Sequence, residues 1–341
     1  MNTPAANGSL AERFDVPIDT SLARRFHERI EDPRLDTLDW LWQHVAPEMA
    51  GRREARTAAL LVAASEGDRN GFRGRMHALF HGPGGTGKTV LKDWCKYTLP
   101  DALGCGPDST GAGLRLNGNT GDLGKLGQAH EGTLCIEEFD KFGREEQKAC
   151  YEAMSEGYFE VDKGGFSGEI PAETRIIAVA NSTDFPQPLM TRFDFIIPME
   201  EYDEQETVEV SSALYKSWRD GYLYDRLEHS QPVLPQFLAW VGEYRPPMDD
   251  DTLSAVTRLL ERLVREGERV GDIRQKQAYL RAAYLIAKLN MRPITTYDWV
   301  RAVEMMHPEV ADEGLFEDVH EAHEAHVEQA ADGDEFGVDP L

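Results

Sequence analysis

The stretch Gly82, Pro83, Gly84, Gly85, Thr86, Gly87, Lys88, Thr89 satisfies the pattern G-x-x-x-x-G-K-[ST], and its flanks decide how the chain folds. Just before it, Met76 to Phe80 reads as a short buried strand; just after it, Val90 to Tyr97 has helical spacing. A strand, a glycine-rich turn and a helix in that order make a cradle for phosphate. Residues without side chains let backbone N–H groups converge on an anion, and the helix start adds its partial positive charge. In such a loop Lys88 neutralises the β- and γ-phosphates and the Thr89 hydroxyl is a ligand for Mg²⁺.

Working outward, Thr133 to Ile136 is a second apolar strand that ends in Glu137 and Glu138. An acidic pair after a strand is commonplace. Beside a phosphate loop in the same sheet it gains meaning: one carboxylate holds the Mg²⁺ shell and the next polarises the attacking water. Arg175 to Ala180 is a third buried strand, followed at once by Asn181. A neutral amide there orients a water without adding charge; a plain loop-starting Asn is the alternative. Arg192 follows the proline-bearing loop Pro186 to Pro188, where an arginine could reach a neighbouring subunit's γ-phosphate. Between these, Tyr158 to Ile170 alternates and turns at Gly164 and Gly165 as a β-hairpin does. The section from Gly104 to Gly132 has no clear period.

Strands separated by helices imply an α/β fold, a parallel sheet with helices on both faces. After Glu200 the strand signals stop. Thr252 to Val264, Ile273 to Leu289 and Thr296 to Met306 carry helix-spaced apolar residues, with Thr295 or Thr296 as N-cap, which makes a smaller all-α domain. The expected division is an arm over 1–37, the α/β core over 38–200, a linker and helical lid over 201–307, and an acidic tail over 308–341, disordered or partly helical.

These stretches resemble the minichromosome maintenance (MCM) helicases, an AAA+ P-loop family. Leu134 to Lys141 (LCIEEFDK) is similar to that family's Walker B signature, and Leu189 to Asp194 (LMTRFD) to its arginine-finger motif. Val45 to Gly51, Tyr151 to Met154 with Val161 to Gly164, Tyr244 to Pro247 and Ile273 to Gln275 add further likenesses, in order, from about Leu38 to Met306. The resemblance implies ATP held by Gly82 to Thr89, with Gly87, Lys88 and Thr89 foremost, Mg²⁺ on Thr89 and Glu137, and Glu138 as the water carboxylate. It implies Asn181 as sensor 1, with Arg192 and Arg274 acting across a subunit boundary as finger and sensor 2. The ring it implies is a hexamer around a single strand of DNA, gripped at Lys163, with a protein loader as a further partner. Arg115 and Lys125 fall where the family inserts a second pore element. The expected function is a DNA helicase or translocase in replication of a chromosome, plasmid or virus. The rival is an AAA+ remodeller or loader that works on a protein.

The chain departs from the family at Glu137, where Asp is usual, and at Ser155 and Glu156, where an acid–amide pair is usual. Before Leu38 there is no room for the family's oligonucleotide-binding and zinc modules, and an acidic tail stands where a winged helix would be; a reduced ATPase core is expected. Four cysteines show no zinc-pair spacing or disulfide framework, which suits a reduced, cytoplasmic interior. His320, His323 and His326 are spaced by three in the tail, with no further ligand set.

Composition bears on partners. The 341 residues carry 61 acids against 36 bases, a net charge of −25, and the segment 308–341 has twelve acids and no Lys or Arg. A general nucleic-acid binder shows a basic face, so contact with DNA has to be local, inside a groove or channel. Only ten of the bases are Lys. An acidic, Lys-poor surface suits a salt-loving host, because salt screens its self-repulsion. The longest wholly apolar run, Ala58 to Ala64, is too short to cross a bilayer, and no signal peptide opens the chain.

Overall fold

Five short strands carry nearly continuous apolar text, as strands covered on both faces do. The computed structural model describes residues 18, 20–32, 35–49, 51–68, 72–117, 120–163, 166–219, 233–265 and 273–334. Its strands, in chain order, are β1 (His77–His81), β2 (Ala102–Cys105), β3 (Thr133–Ile136), β4 (Tyr158–Lys163), β5 (Phe166–Pro171), β6 (Arg175–Ala180) and β7 (Phe195–Pro198). The main sheet runs β2-β3-β6-β1-β7, every pair parallel, while β4 and β5 form a separate antiparallel hairpin. This is a P-loop α/β sheet wrapped by helices, with an all-α part beside it in sequence. β2 went unread in the sequence because its four residues include a glycine and lie at a sheet edge. Pairing with β3 (Ala102 opposite Thr133 through Cys105 opposite Ile136) places it, not local propensity.

By contact, the described chain divides into a unit built on Trp42–Gly242 and a unit built on Ile18–Leu41 with Glu243–Leu341. In the first, the helix Arg53–Ala64 is buried from Ala55 to Ala64, and the helix Lys88–Thr98 packs on β2, β3 and β6. A second core on the other side of β3 collects Leu134, Ile136, Phe139, Phe142, Met154 and Phe159. All four cysteines are free and buried, and burial pushes the Cys135 thiol up to about 12. They act as core atoms, not as reactive thiols.

In the helical unit, Thr295 caps the helix Thr296–Met306 through a capping box with Asp298. The segment 18–41, which holds the described part of the expected arm (1–37) and the first residues of the expected core (38–200), is tied into this unit by charge. Arg301 bonds Asp36 and also Asp39, at 3.2 Å, while the Thr37 N–H donates to Asn290 Oδ1 at 2.8 Å. Burial raises the Asp36 carboxyl pKa, but Arg301, the Leu38 amide and Asn290 more than offset this, so it lies below the usual range. The tail residues 308–334 form the helices Pro308–Asp312 and Glu317–Asp334. His320 pairs with Glu304 at 2.9 Å and His323 stacks on Tyr297 at 3.7 Å, so two of the three tail histidines are engaged in packing. Among the described residues no group of three or more side chains is arranged to hold a metal.

Removing one member of a largely buried ion pair leaves the other uncompensated. Arg301→Ala is expected to lower the stability of the full chain by about 3 kcal/mol near neutral pH. Because the folded Asp36 pKa is depressed, the pair's contribution is complete above the ordinary carboxylate range and disappears as pH falls through the folded value. Urea unfolding followed by helical circular dichroism at pH 7 and pH 3 checks both the loss and its shrinkage in acid.

Candidate functional site

The loop after β1 is shaped by backbone limits. The Gly82 N–H donates to Ala180 O at 3.3 Å, and the Met199 N–H donates to His81 O at 2.6 Å, so the ends of β6 and β7 enclose it. Gly82 has φ +145°, and a Cβ there would lie 2.2 Å from Met199 O. No side chain fits. Gly85 and Gly87 also hold positive φ. Among the described residues, the amides of Gly84, Gly85, Thr86 and Gly87 donate to no protein acceptor. On its other side, Gly87 is approached by Met49 and the Tyr202 hydroxyl, and the Arg52 guanidinium lies 4.1 Å from the Tyr202 ring centre.

Lys88 opens the following helix and folds back into the loop. Its ammonium donates to Gly82 O at 2.6 Å, to Pro83 O and weakly to Thr86 Oγ1 at 3.5 Å. Burial pushes its pKa down, and Asp140 works against that shift. Thr89 is exposed beside it. A concave run of free amides with a cation at its centre fits the phosphates of a nucleotide. The donor set therefore suits the phosphates of a nucleoside triphosphate, and a hydroxyl and carboxylates nearby suit Mg²⁺.

The acidic pair has its own internal partners. Glu137 leaves β3 with its N–H on Cys105 O at 2.9 Å, and its carboxylate pairs with Lys92, one helical turn beyond Lys88, at 2.9 Å. Lys92 also pairs with Asp93 at 2.8 Å. The bond to Lys92 uses Oε2, which leaves Oε1 of Glu137 as the oxygen for a metal-holding role. Glu138 is left-handed (φ 50°, ψ 49°) and pairs with Lys141. Asp140, which sequence reading passed over, accepts the Asn181 N–H at 3.0 Å.

Asn181 is exposed at the end of β6, beside this acidic turn. Arg192 is 4% exposed and lies over the Tyr151 ring at 4.6 Å. It donates to Tyr151 Oη at 2.8 Å, to Ser155 Oγ and to Thr191 Oγ1 at 3.3 Å. Among the described residues no carboxylate pairs with it. Tyr151 and Ser155 are four apart on the helix Arg144–Glu156, a spacing that puts both on one face and was a usable signal. Lys163 ends β4, paired with Phe166; around it Phe159 and Ile170 are buried while Glu160, Asp162, Ser167 and Glu169 are exposed. The hairpin tip, 164–165, lies outside the described residues. Arg115 pairs with Glu152 at 2.8 Å. Arg274 lies in the first turn of the helix Ile273–Leu289, in the helical unit.

A parallel sheet in this order, with a G-x-x-x-x-G-K-[ST] loop leaving the interior strand β1, defines a P-loop nucleoside-triphosphatase fold of the AAA+ kind. The family model for the MCM P-loop domain matches residues 25–217, more than half the chain, and the chain belongs to the MCM family. It is 29% identical over 198 residues to an uncharacterized MCM-type protein of Methanocaldococcus jannaschii, covering 51% of this chain and 29% of that one. It is 25% identical to the DNA replication licensing factor mcm7 of Schizosaccharomyces pombe, covering 74% of this chain and 37% of the relative. It is 23% identical to the minichromosome maintenance protein MCM of Saccharolobus solfataricus, covering 86% of this chain and 47% of the relative. The matched region thus spans less than half the length of each of these relatives.

The Gly82 constraint is testable without a ligand. Gly82→Ala places a methyl group against a backbone carbonyl at a positive φ, and is expected to cost about 1–3 kcal/mol. Gly84→Ala, where a Cβ meets nothing within 4 Å, is expected to cost far less. Paired urea melts of the two variants make the comparison.

Proposed function

We propose that this chain is an ATP-hydrolysing ring motor of the MCM type that moves along single-stranded DNA. The observation that carries this reading is the pairing of two features. One is a phosphate-shaped loop with Lys88 folded into it; the other is a buried guanidinium, Arg192, met among the described residues by hydroxyls and a ring. In this reading Gly82 to Thr89 cradle the triphosphate of ATP, and Lys88 trades its loop oxygens for phosphate oxygens. Thr89 and Glu137 hold Mg²⁺, which when bound offsets the phosphate charge. Glu138 polarises the attacking water and Asn181 orients it.

Among the described residues no carboxylate pairs with Arg192, which supports an anion supplied from a neighbouring copy. To serve a neighbouring site it swings out from Tyr151 and Ser155, and Arg274 joins it from the helical lid. Six copies then close a ring, with ATP at each boundary and DNA in the pore at Lys163. A loader protein is a further partner of such a ring. The acidic exterior suits a cytoplasm of high salt, and no helix among the described residues is long and apolar enough to cross a membrane.

One observation favours a second reading, an AAA+ remodeller of a protein partner. The exposed side of the hairpin carries Glu160, Asp162 and Glu169, with Glu160 directly opposite Glu169. Such a surface suits a basic polypeptide better than a phosphate backbone.

ATP turnover in molar salt separates the two readings. For the motor, single-stranded DNA raises turnover several-fold, and Lys163→Ala removes the stimulation. No response to DNA in the wild type favours the protein substrate. Lys88→Ala and Arg192→Ala are each expected to lose at least 100-fold in turnover (roughly, from the worth of such groups). Mixing the two variants restores part of the activity, because a fraction of boundaries then pairs an intact loop with an intact finger. A mixture as inactive as its parts contradicts shared sites.

A further inference from the structure

Asp140 is the acidic residue of the turn after β3 to which the sequence assigns no task, and its surroundings give it one. The turn Phe139–Lys141 is a single 3₁₀ turn that follows the left-handed Glu138 and is closed by the Lys141 N–H on Glu138 O at 2.8 Å. Two tethers of different chemistry join it to the chain beyond β6. The polar tether is the Asp140 carboxylate, which accepts the Asn181 N–H at 3.0 Å. The apolar tether is Phe139, fully buried, with ring centres 5.1 Å from Phe185 and 5.8 Å from Phe193, the neighbour of Arg192. A carboxylate bonded to a backbone N–H makes a charge-assisted hydrogen bond, stronger than a neutral one. Asp140 is also close enough to Lys88 to favour its charged form.

We infer that Asp140 is a positioning residue, whose carboxylate holds the Asn181 backbone against the acidic turn so that the Asn181 carboxamide and Glu138 face the same attacking water. The inference rests on the hydrolytic reading above. β3 and β6 are adjacent and parallel, but their last paired residues are Ile136 and Ala178, so their ladder stops short of the acidic turn, while β6 continues beside β1 to Ala180. Past those ends, the bond from Asp140 spans from one strand's exit to the other's. Glu138 is two residues before Asp140, and Asn181 is the residue it holds. Loss of the carboxylate therefore misaligns the water-handling pair while the phosphate loop stays intact.

The test combines hydrogen exchange with turnover, on the full chain. In Asp140→Ala the Asn181 amide is expected to exchange about tenfold faster, the worth of one charge-assisted bond. Turnover is expected to fall about 100-fold, while affinity for a fluorescent ATP analogue stays within about threefold. Asp140→Asn keeps an oxygen facing the Asn181 N–H and is expected to recover part of both the protection and the turnover. If the alanine variant does not fold, the asparagine variant still decides, with smaller changes in the same directions. The double variant Asp140→Ala with Asn181→Ala is expected to turn over no more slowly than Asn181→Ala alone, since the two act through one group. Unchanged exchange at Asn181, additive losses in the double variant, or affinity lost in step with turnover would overturn the inference. A wild type that turns over no ATP overturns the hydrolytic reading instead, and Asn181 exchange still shows whether the tether exists.

Discussion

Parallel pairing of β1 with neighbours on both sides is the constraint that organises everything else in the molecule. β1 lies between β6 and β7, with His81 opposite both Ala180 and Pro198. Parallel strands deliver their C-terminal ends to one edge, the edge where sheets of this class place their sites. The loop at Gly82, the residue Asn181 and the peptide at Met199 therefore emerge side by side. Gly82 pays for that closeness in residue choice, because Met199 O occupies the space a side chain would need. The acidic turn after β3 arrives beside them through the β3–β6 pairing.

The groups suited to chemistry have partners within the chain. Lys88 rests on loop oxygens, Glu137 on Lys92, and Arg192 on Tyr151 and Ser155. Buried charge without a partner is costly, so the sequence supplies one for each. The chemistry of these partners differs in a way that bears on assembly. Lys88 and Arg192 are met by neutral oxygens, contacts that an anionic phosphate would exceed in strength. Glu137 is met by a cation at one of its two oxygens.

Much of this was legible in the sequence, for identifiable reasons. The strands at Thr133–Ile136 and Arg175–Ala180, the hairpin and the helix Ile273–Leu289 stand where apolar runs and helical spacing put them. Thr295 caps its helix as the local chemistry demands. β2 was hidden because a short, glycine-bearing edge strand has little local signal. Asp140 was hidden for a different reason: a single acid in an acidic protein attracts no notice until the fold brings it to a backbone N–H 41 residues away in sequence. The burial of Arg192 was equally invisible, since sequence spacing says that an arginine follows a loop but not which way its guanidinium turns. The ties of the segment 18–41, Asp36 to Arg301 above all, span most of the chain length, so no local pattern reveals them.

The central claim is that one chain supplies the phosphate cradle and another the guanidinium. Its most direct measurement is ATP turnover per chain across a dilution series, with the mass of the species followed by sedimentation in the same buffer. The account predicts that turnover per chain collapses as the assembly dissociates into single chains. Undiminished turnover by a species that sediments as one chain would contradict it.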